Sequence, residues 1–278
     1  MQRLPFATQK LPSRAVISVA GEGAKDFLQN LVTADIDALG PGEATYSALL
    51  QPQGKILFDF FIFDTGDGLL LDCAASQLPE LLKRLAMYRL RTKVAISAAD
   101  GLEVGVAPDV PTEERRYADP RLASMGWRLF APAGSLPPAT GYHRARIAAG
   151  LADTDADLGS GEFFPHEANF DQIGAVSFTK GCYVGQEVVS RMEHRGLARS
   201  RILPIRCDGP SPPRGSDIRS GEKSVGTVLG SEGDAALALI RLDRLAEAGE
   251  PLLSGTVRVE VLKPAFARYD VPQSKEDR

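Results

Sequence analysis

The sequence contains few cysteines, with Cys73, Cys182 and Cys207 the only three in 278 residues. An odd number at wide spacing excludes a disulfide framework and a paired zinc knuckle, and it is typical of a reducing compartment. Long apolar runs are also missing, because no stretch approaches the roughly 18 residues that a membrane helix needs. Residues 1–10 lack the apolar core of a signal peptide. We therefore expect a cytoplasmic protein with no membrane partner.

Signals for a metal site are also absent. The three histidines show no metal-ligand spacing with one another or with the cysteines, and no Ser-His-Asp order stands out. The acidic residues Asp153, Asp155 and Asp157 lack the glycine and the closing glutamate of a calcium loop. We therefore expect no permanent metal ion. The formal net charge of −4 argues against a dedicated nucleic-acid coat and leaves room for a local basic patch.

The length and the apolar pattern predict two or three domains. Strands are predicted at 15–20, 46–50, 55–63, 68–73, 93–97, 102–107 and 127–131, and helices at 24–32, after Ser76 and at 137–150. Strands in this order around one helix predict an α+β sandwich of ferredoxin-like type. Short strands between glycine turns from residue 202 onward predict a small β-barrel or sandwich. Residues 271–278 are polar and predict a frayed tail.

The segment 180–187, Lys-Gly-Cys-Tyr-Val-Gly-Gln-Glu, is the richest in chemically active residues. Its two glycines allow backbone angles closed to other residues and let a partner approach the main chain. A nearby Lys180, or the N–H groups of a following helix, would favour the thiolate form of Cys182. Two interpretations of Cys182 stay open, a presented reactive thiol and a small buried apolar side chain.

Asp59 is a lone carboxylate in the run 55–63, in which both alternating faces of a strand are apolar. Burying it is costly unless it is paired, hydrogen-bonded or placed in a cavity. A hydrogen bond to a neighbouring loop would make Asp59 structural. A cavity position would let it hold a ligand nitrogen or manage a proton.

The segment 180–187 resembles the signature of the YgfZ-type folate-binding proteins, relatives of the glycine-cleavage T-protein, which is an aminomethyltransferase. Residues 23–29 and 33–35, with Gly42, Tyr46 and Gly54, are similar to the opening that both groups share. The resemblance covers nearly the whole chain and implies a three-lobed ring around a channel that holds tetrahydrofolate. The implied division is a split first domain at 1–47 plus 141–200, a ferredoxin-like domain at 48–140, a β-barrel at 201–270 and a tail at 271–278.

The same resemblance implies roles for single residues. Asp59 stands at the position of the T-protein's catalytic aspartate, and Cys182 is the second residue with an implied catalytic role. The residues implied to bind folate are Asp59, Tyr46, Glu167, Asn169 and Arg146. The motif residues implied to form the site are Lys180, Gly181, Cys182, Tyr183, Gly185, Gln186 and Glu187. Ala148 stands where the T-protein has a folate-gripping glutamate, and alanine cannot accept hydrogen bonds from a pterin.

The resemblance implies a tetrahydrofolate-binding accessory protein for iron–sulfur cluster assembly or repair, which supports iron–sulfur enzymes including tRNA-modifying ones. Its partners would be folate and iron–sulfur client or assembly proteins. Any cluster at Cys182 would be transient or shared, because three scattered cysteines cannot supply four thiolates. The alternative is a folate-dependent aminomethyltransferase or demethylase, so whether the chain is an enzyme stays open. A third hypothesis, tRNA binding, rests on an arginine run at 191, 195, 199 and 201 that lacks interleaved aromatic residues.

Overall fold

Two antiparallel sheets and one closed barrel contain the strands of the computed structural model, which describes residues 4–113, 115–196 and 198–273. In chain order the strands are β1 (Gln9–Lys10), β2 (Arg14–Ala20), β3 (Ala44–Leu50), β4 (Ile56–Asp64), β5 (Gly68–Ala74), β6 (Ala95–Ala98), β7 (Leu102–Ala107), β8 (Arg116–Ala118), β9 (Trp127–Pro132), β10 (Ser200–Cys207), β11 (Asp217–Ser220), β12 (Lys223–Glu232), β13 (Ala235–Arg241), β14 (Leu252–Ser254) and β15 (Val257–Val261). The α-helices are α1 (Ala24–Gln29), α2 (Leu78–Arg89), α3 (Tyr142–Ala148), α4 (Gln186–Arg195) and α5 (Leu242–Ala246), and a π-helical turn spans Thr154–Leu158. None of the described helices is long and apolar enough to cross a membrane.

The first sheet has the strand order β3-β4-β5-β2-β6. Alternation along β4 sends Phe58 and Phe60 into the core beneath α1 and α2, and Phe61 and Phe63 into a second core on the opposite face. Both faces of β4 are therefore buried, which explains why its sequence is apolar on both sides.

The second sheet has the order β1-β7-β9-β8 and packs on the face of the first sheet that the helices leave open. The Phe63 ring centroid lies 4.7 Å from that of Tyr117 in β8 and 4.8 Å from that of Phe130 in β9. Strand β8 was not predicted, because three residues are too short to show an alternating pattern.

The first sheet crosses one of the predicted domain boundaries. Residue 47 lies inside β3, which pairs with β4, and β2 pairs with β5. The sheet therefore does not divide at residue 47, because strands from both sides of that boundary belong to it. The rest of the predicted division stays a prediction.

The C-terminal strands close into a six-stranded barrel in the order β10-β13-β12-β11-β14-β15, which confirms the predicted β-barrel. Its interior is filled by small and branched apolar side chains that include Leu203, Ile218, Val228 and Ala238. The predicted tail reaches residue 278, and its part beyond residue 273 lies outside the described residues.

Helix α3 joins the sheets to the barrel and is shorter than the predicted helix at 137–150. It begins after Gly141, whose φ of +103° ends the preceding loop, and Pro137 and Pro138 disfavour helical angles in the residues before them. Helix α3 packs on strands β10, β12 and β13. Arg144 adds an ion pair to Asp234 of the barrel at 2.5 Å.

We expect Gly230→Ala in β12 to destabilise the junction between the π-helical turn and the barrel. A Cβ at Gly230 would lie 2.0 Å from Asp157 Oδ1, and Asp157 cannot retreat without leaving Arg146, whose Nη1 donates to it at 2.6 Å. The free energy of unfolding, measured by urea denaturation, should fall by about 1–3 kcal/mol. Gly249→Ala is the control, since nothing lies within 4 Å of its Cβ position. Equal changes in the two variants would contradict the close contact.

Candidate functional site

Asp59 is fully buried in β4, on the face that the two sheets share. The strand register places Tyr46 diagonally across from it, and the Tyr46 hydroxyl donates a hydrogen bond to Asp59 Oδ2. The backbone N–H of Thr154 donates to Asp59 Oδ1 at 3.1 Å. Burial, followed by the charge of Asp153, raises the pKa of Asp59. Both carboxyl oxygens therefore have protein partners, as the structural interpretation of Asp59 requires.

Asp59 adjoins a group of buried ionic side chains at the junction of the two sheets, α3 and the 153–157 segment. We call this group the buried charge cluster. Its members are Arg14, Arg121, Arg128, Arg146, Asp72, Asp119, Asp153 and Asp157.

Asp72 and Tyr142 hold the part of the cluster nearest the sheets. Arg14 Nε lies 2.6 Å from Asp72 Oδ1, and Arg128 Nη1 binds Asp72 Oδ2. The Tyr142 hydroxyl accepts hydrogen bonds from Arg128 at 2.7 Å and from Arg121 at 2.8 Å. Arg128 also stacks over Phe61, with its Cζ atom 3.8 Å from the ring centroid. This packing orients the guanidinium groups along the sheet face.

Arg146 and two aspartates form the part of the cluster nearest the barrel. Arg146 Nη1 lies 2.6 Å from Asp157 Oδ2, and Arg146 Nε lies 3.2 Å from Asp153 Oδ2. Burial acts to raise the pKa of Asp153, but the guanidinium groups of Arg146, Arg14 and Arg121 outweigh it and hold that pKa below its ordinary range. Asp153 is therefore ionised.

The charges of the cluster balance when Asp59 is neutral. Four guanidinium groups face four paired aspartates, and Asp59 is a fifth carboxyl group. Among the ion pairs of the described residues, none includes Asp59. Burial and the charge of Asp153 raise the pKa of Asp59, against Arg14 and the hydrogen bonds from Thr154 and Tyr46, which act to lower it.

A hollow of about 340 Å³ opens beside the cluster, between the start of β2, β9, the start of α3 and the end of β12. The charged and aromatic residues in its wall include Arg14, Arg128, His143, Asp153 and Glu232. Asp59 is not among the lining residues. It binds the backbone at Thr154, next to Asp153, which does line the hollow. The structure therefore corrects the expectation that Asp59 faces the cavity and places Asp153 there instead.

Lys180 anchors the cysteine motif to the loop that follows α1. Its Nζ donates to the carbonyl oxygens of Val32 at 2.8 Å and Ala34 at 2.7 Å. Burial lowers the pKa of Lys180 to about 8. Tyr183, also buried, packs beside it with the Lys180 Nζ 5.2 Å from the ring centroid. Lys180 therefore has a structural role in fixing the loop.

Cys182 is exposed between these two anchors, whereas Cys73 and Cys207 are buried. Burial raises the pKa of Cys73 to about 12 and also raises that of Cys207. Among the three cysteines, all of which are described, Cys182 is the one that a partner can reach. The interpretation of Cys182 as a buried apolar side chain is therefore wrong.

The glycines of the motif differ in their roles. Gly185 has a φ of +81° and caps α4, and a Cβ there would lie 2.5 Å from the carbonyl oxygen of Gln51 in the β3–β4 turn. A Cβ at Gly54 of that turn would likewise lie too close to the side chain of Val188 in α4. Gly181 has open space around its Cβ position, so no contact requires glycine there. The close approach at Gly185 fixes the start of α4 against the first sheet.

The remaining motif residues open α4. Gln186 is its first residue and is half-buried. Glu187 is exposed and pairs with Arg191 one helical turn later. The ion pair with Arg191 does not bring Glu187 to Cys182, so the expected role of Glu187 in shaping the thiol site stays a prediction.

The hydrogen bonds that the structure gives for the side chains of Glu167 and Asn169 do not involve Asp59. Glu167 Oε2 accepts a hydrogen bond from the backbone N–H of Phe164 at 2.9 Å, and burial raises the pKa of Glu167. Asn169 donates to the Ile202 carbonyl at 2.7 Å and accepts from the Tyr269 hydroxyl at 2.7 Å. These bonds tie the segment 163–170 to the barrel. Of the five predicted folate ligands, the structure joins Tyr46 to Asp59 and places Arg146 in the adjacent charge cluster.

The predicted arginine run does not form one surface. Arg201 is buried and binds Asp171 through both oxygens, at 2.6 and 3.0 Å, while Arg191 pairs with Glu187. Arg199 is exposed, and the side chain of Arg195 lies outside the described structure. The three arginines of the run whose side chains are described therefore do not all face solvent as free cations.

One group of described residues has the side chains that a metal ion uses, namely His166, Asp171 and Glu193, with ligand atoms within 4.8 Å of one another. Asp171 already gives both oxygens to Arg201, and His166 Nε2 lies 3.1 Å from Glu193 Oε2. A third free ligand is therefore lacking, and the expectation of no permanent metal stays a prediction.

Sequence reasoning missed most of the buried charge cluster. Asp72 and Arg128 do carry a signal, because each is a charged residue inside an otherwise apolar strand. Their pairing depends on two sheets packing face to face, and no local pattern contains that information. Arg14 at the start of a strand gives no comparable signal.

The fold places this chain among proteins with the architecture of the glycine-cleavage T-protein. The aminomethyltransferase T of the glycine cleavage system from Bartonella henselae superimposes with a TM-score of 0.75, over 98% of this chain and 89% of that one. The sequences are 15% identical, so the likeness shows the fold alone. Residues 199–269 match the CAF17 C-terminal beta-barrel domain family.

Whole-chain relatives identify the family. The mouse protein named iron-sulfur cluster assembly factor IBA57, mitochondrial, is 32% identical, over 85% of this chain and 78% of its own. The human protein of that name is also 32% identical, over 86% and 79%, and the Chaetomium globosum homolog is 33% identical, over 84% and 64%. The chain belongs to the IBA57 family of iron–sulfur cluster assembly factors.

The expected cytoplasmic location is wrong by the same comparison. The relatives from mouse, human and Chaetomium globosum are all named as mitochondrial proteins, which points to mitochondria. The prediction rested on scarce cysteines and on the composition at the start of the chain. A reducing interior is common to several compartments, so cysteine usage alone could not separate them.

We expect Asp59→Asn to keep the fold and to become relatively more stable as pH rises. An amide oxygen can accept from the Thr154 N–H, and the amide NH₂ group can donate to the Tyr46 oxygen in place of the bond that Tyr46 donates to Asp59. Because the native pKa of Asp59 is raised, the wild type loses stability as pH rises from about 4, the unfolded value. The variant has no titrating group at position 59, so its free energy of unfolding does not fall for this reason as pH rises. Urea unfolding at a series of pH values tests this, and a variant that becomes relatively less stable with rising pH would show that Asp59 is ionised.

Proposed function

We propose that this chain is a tetrahydrofolate-binding accessory protein for the assembly or repair of iron–sulfur clusters, with Cys182 as the thiol that contacts the cluster. The observation that carries the proposal is the exposure of Cys182 on an anchored loop, in a chain of the IBA57 family. The clients would be iron–sulfur enzymes, including enzymes that modify tRNA.

The surroundings of Cys182 support a cluster whose ligands come partly from this chain and partly from a partner. One thiolate cannot hold a cluster that needs four ligands, and the two other cysteines are buried in separate cores. The partner would therefore supply the remaining ligands. Lys180 on one side and Gly185 on the other hold the loop in place, so Cys182 would meet a partner with little ordering cost.

The volume of the hollow supports the binding of part of a folate. Its volume of about 340 Å³ lies near the lower end of the range for small-molecule pockets, about 300–1,000 Å³. The side chain of Asp153 is 13% exposed in the wall of the hollow, so a pterin N–H could donate to its carboxylate. Asp59 would support this site through its hydrogen bond to the backbone at Thr154.

The alternative of an aminomethyltransferase has less support in the geometry. Ala148 is exposed on α3 and does not line the hollow. The raised pKa of Asp59 also disfavours the negative charge that would stabilise a cationic imine. Both features favour binding of folate without group transfer.

Cys182→Ala should lower the activity of client iron–sulfur enzymes in cells that lack their own copy of this protein. The reason is that the cluster loses the thiolate at its point of contact. Cys207→Ala is the matched control, because that cysteine is buried in the barrel. The activity of an iron–sulfur enzyme in extracts is the measurement. Full client activity with Cys182→Ala would contradict the assigned role of this thiol.

Asp153→Asn should weaken tetrahydrofolate binding by about tenfold or more, because an amide replaces an ionised acceptor. Calorimetric titration measures the affinity, and thermal unfolding of the same sample shows whether the variant is folded. Asp59→Asn should keep the wild-type affinity, since that residue does not line the hollow. Loss of affinity in Asp59→Asn alone would place the pterin beside Asp59 instead. No binding by the wild type would remove the folate part of the proposal and leave the Cys182 part standing on its own test.

A further inference from the structure

The end of α2 and the residues after it form a protruding surface, which we call the α2 tip. All of its side chains are exposed, and they are Lys83, Met87, Arg89, Leu90, Arg91 and Lys93. Lys83 and Met87 lie one helical turn apart on α2, and Leu90 directly follows the last residue of that helix. The tip therefore combines two apolar side chains with four cations.

Leu90 is unfavourable where it stands. It adopts a φ of +42°, a region that leucine rarely occupies, directly after the last residue of α2. Glycine usually fills such a position at the end of a helix. Leu90 is also 87% exposed and Met87 61% exposed, so both leave apolar surface in water. Because Leu90 is exposed, packing within this chain does not offset its unfavourable backbone angle.

The charge of the tip is one-sided. No acidic residue occurs between residues 81 and 99, although the whole chain has a net charge of −4. Glu80 lies 3.9 Å from Lys83 in an exposed pair, and Glu22 is the acidic residue of the turn that packs beside Thr92 and Lys93. The cation of Arg89 complements the dipole of α2, because it lies in the last turn of that helix. Arg91 and Lys93 lie beyond the helix, so the dipole does not explain their charges.

We propose that the α2 tip docks on an anionic lipid surface, with Leu90 and Met87 inserted among the acyl chains and the four cations at the headgroups. A protein partner would need about 20–30 residues on each side for a stable interface, and the tip offers six. Lipid binding needs a few inserted apolar side chains and a group of cations, which the tip has. The contact is peripheral, and it adds a partner that the sequence-based expectation of no membrane excluded. It does not depend on the proposed role of Cys182 or on folate.

Flotation with lipid vesicles tests the proposal. The full chain should bind vesicles of phosphatidylcholine mixed with phosphatidylglycerol, bind phosphatidylcholine alone weakly or not at all, and dissociate as salt rises. Leu90→Ala should lower the affinity by about tenfold. Removing two charges with Lys83→Gln and Arg91→Gln should lower it by more than tenfold, since each cation contributes about fivefold.

Two control variants and one stability measurement complete the test. Leu253→Ala, at a leucine that is 41% exposed on the barrel, and Lys223→Gln should keep the wild-type affinity. Leu90→Gly should lose vesicle binding while its thermal midpoint stays equal or rises, because glycine accepts a positive φ. Equal binding to both kinds of vesicle, or wild-type binding by the tip variants, would overturn the proposal. So would no vesicle binding at all, which would leave an acidic protein surface as the partner of the tip.

Discussion

The pairing of buried arginines with buried aspartates, where the sheets meet α3, is the constraint on which the rest of this structure depends. Arg14 of β2 and Arg128 of β9 share Asp72 of β5, and Arg146 of α3 pairs with Asp157 of the π-helical turn. Removing one partner of a buried ion pair commonly costs about 3–5 kcal/mol, because the other charge is left without compensation. The two sheets and α3 are therefore held in one register, and the contact of Asp157 with Gly230 extends that register to the barrel.

The sequence could predict the elements but not the junction between them. The alternating run 55–63 correctly indicated a strand with two buried faces, and the glycine turns after residue 202 correctly indicated the barrel. These signals are local, because they depend on spacing along the chain. The partners of Asp72 lie 56 and 58 residues away in the sequence, so no spacing rule could have joined them. The pairing of β2 with β5 is likewise non-local, so the sequence did not show that strands on both sides of residue 47 belong to one sheet.

The cysteine motif and the core of the protein are connected through one strand. Strand β3 carries Tyr46, the hydrogen-bond partner of Asp59, and runs into the turn whose Gln51 carbonyl meets Gly185. Cys182 is three residues before Gly185, so the position of the exposed thiol depends on how β3 is held. The buried interior is thus linked to an exposed thiol on the surface by packing. The resemblance at 180–187 singled out this loop, and the facing turn supplies the physical reason for glycine at position 185.

Asp59 is a buried carboxyl group whose pKa is raised by burial and by the charge of Asp153. An ionised aspartate near a pterin can stabilise a developing positive charge, whereas a protonated one can only exchange hydrogen bonds. Here the Thr154 N–H and the Tyr46 hydroxyl already occupy both oxygens, and the arginines nearby are matched by four other aspartates. Burial and the charge of Asp153 both oppose a negative charge on Asp59. The ion pairs of the interior hold the sheets and α3 together, and among the three cysteines Cys182 is the thiol that faces solvent.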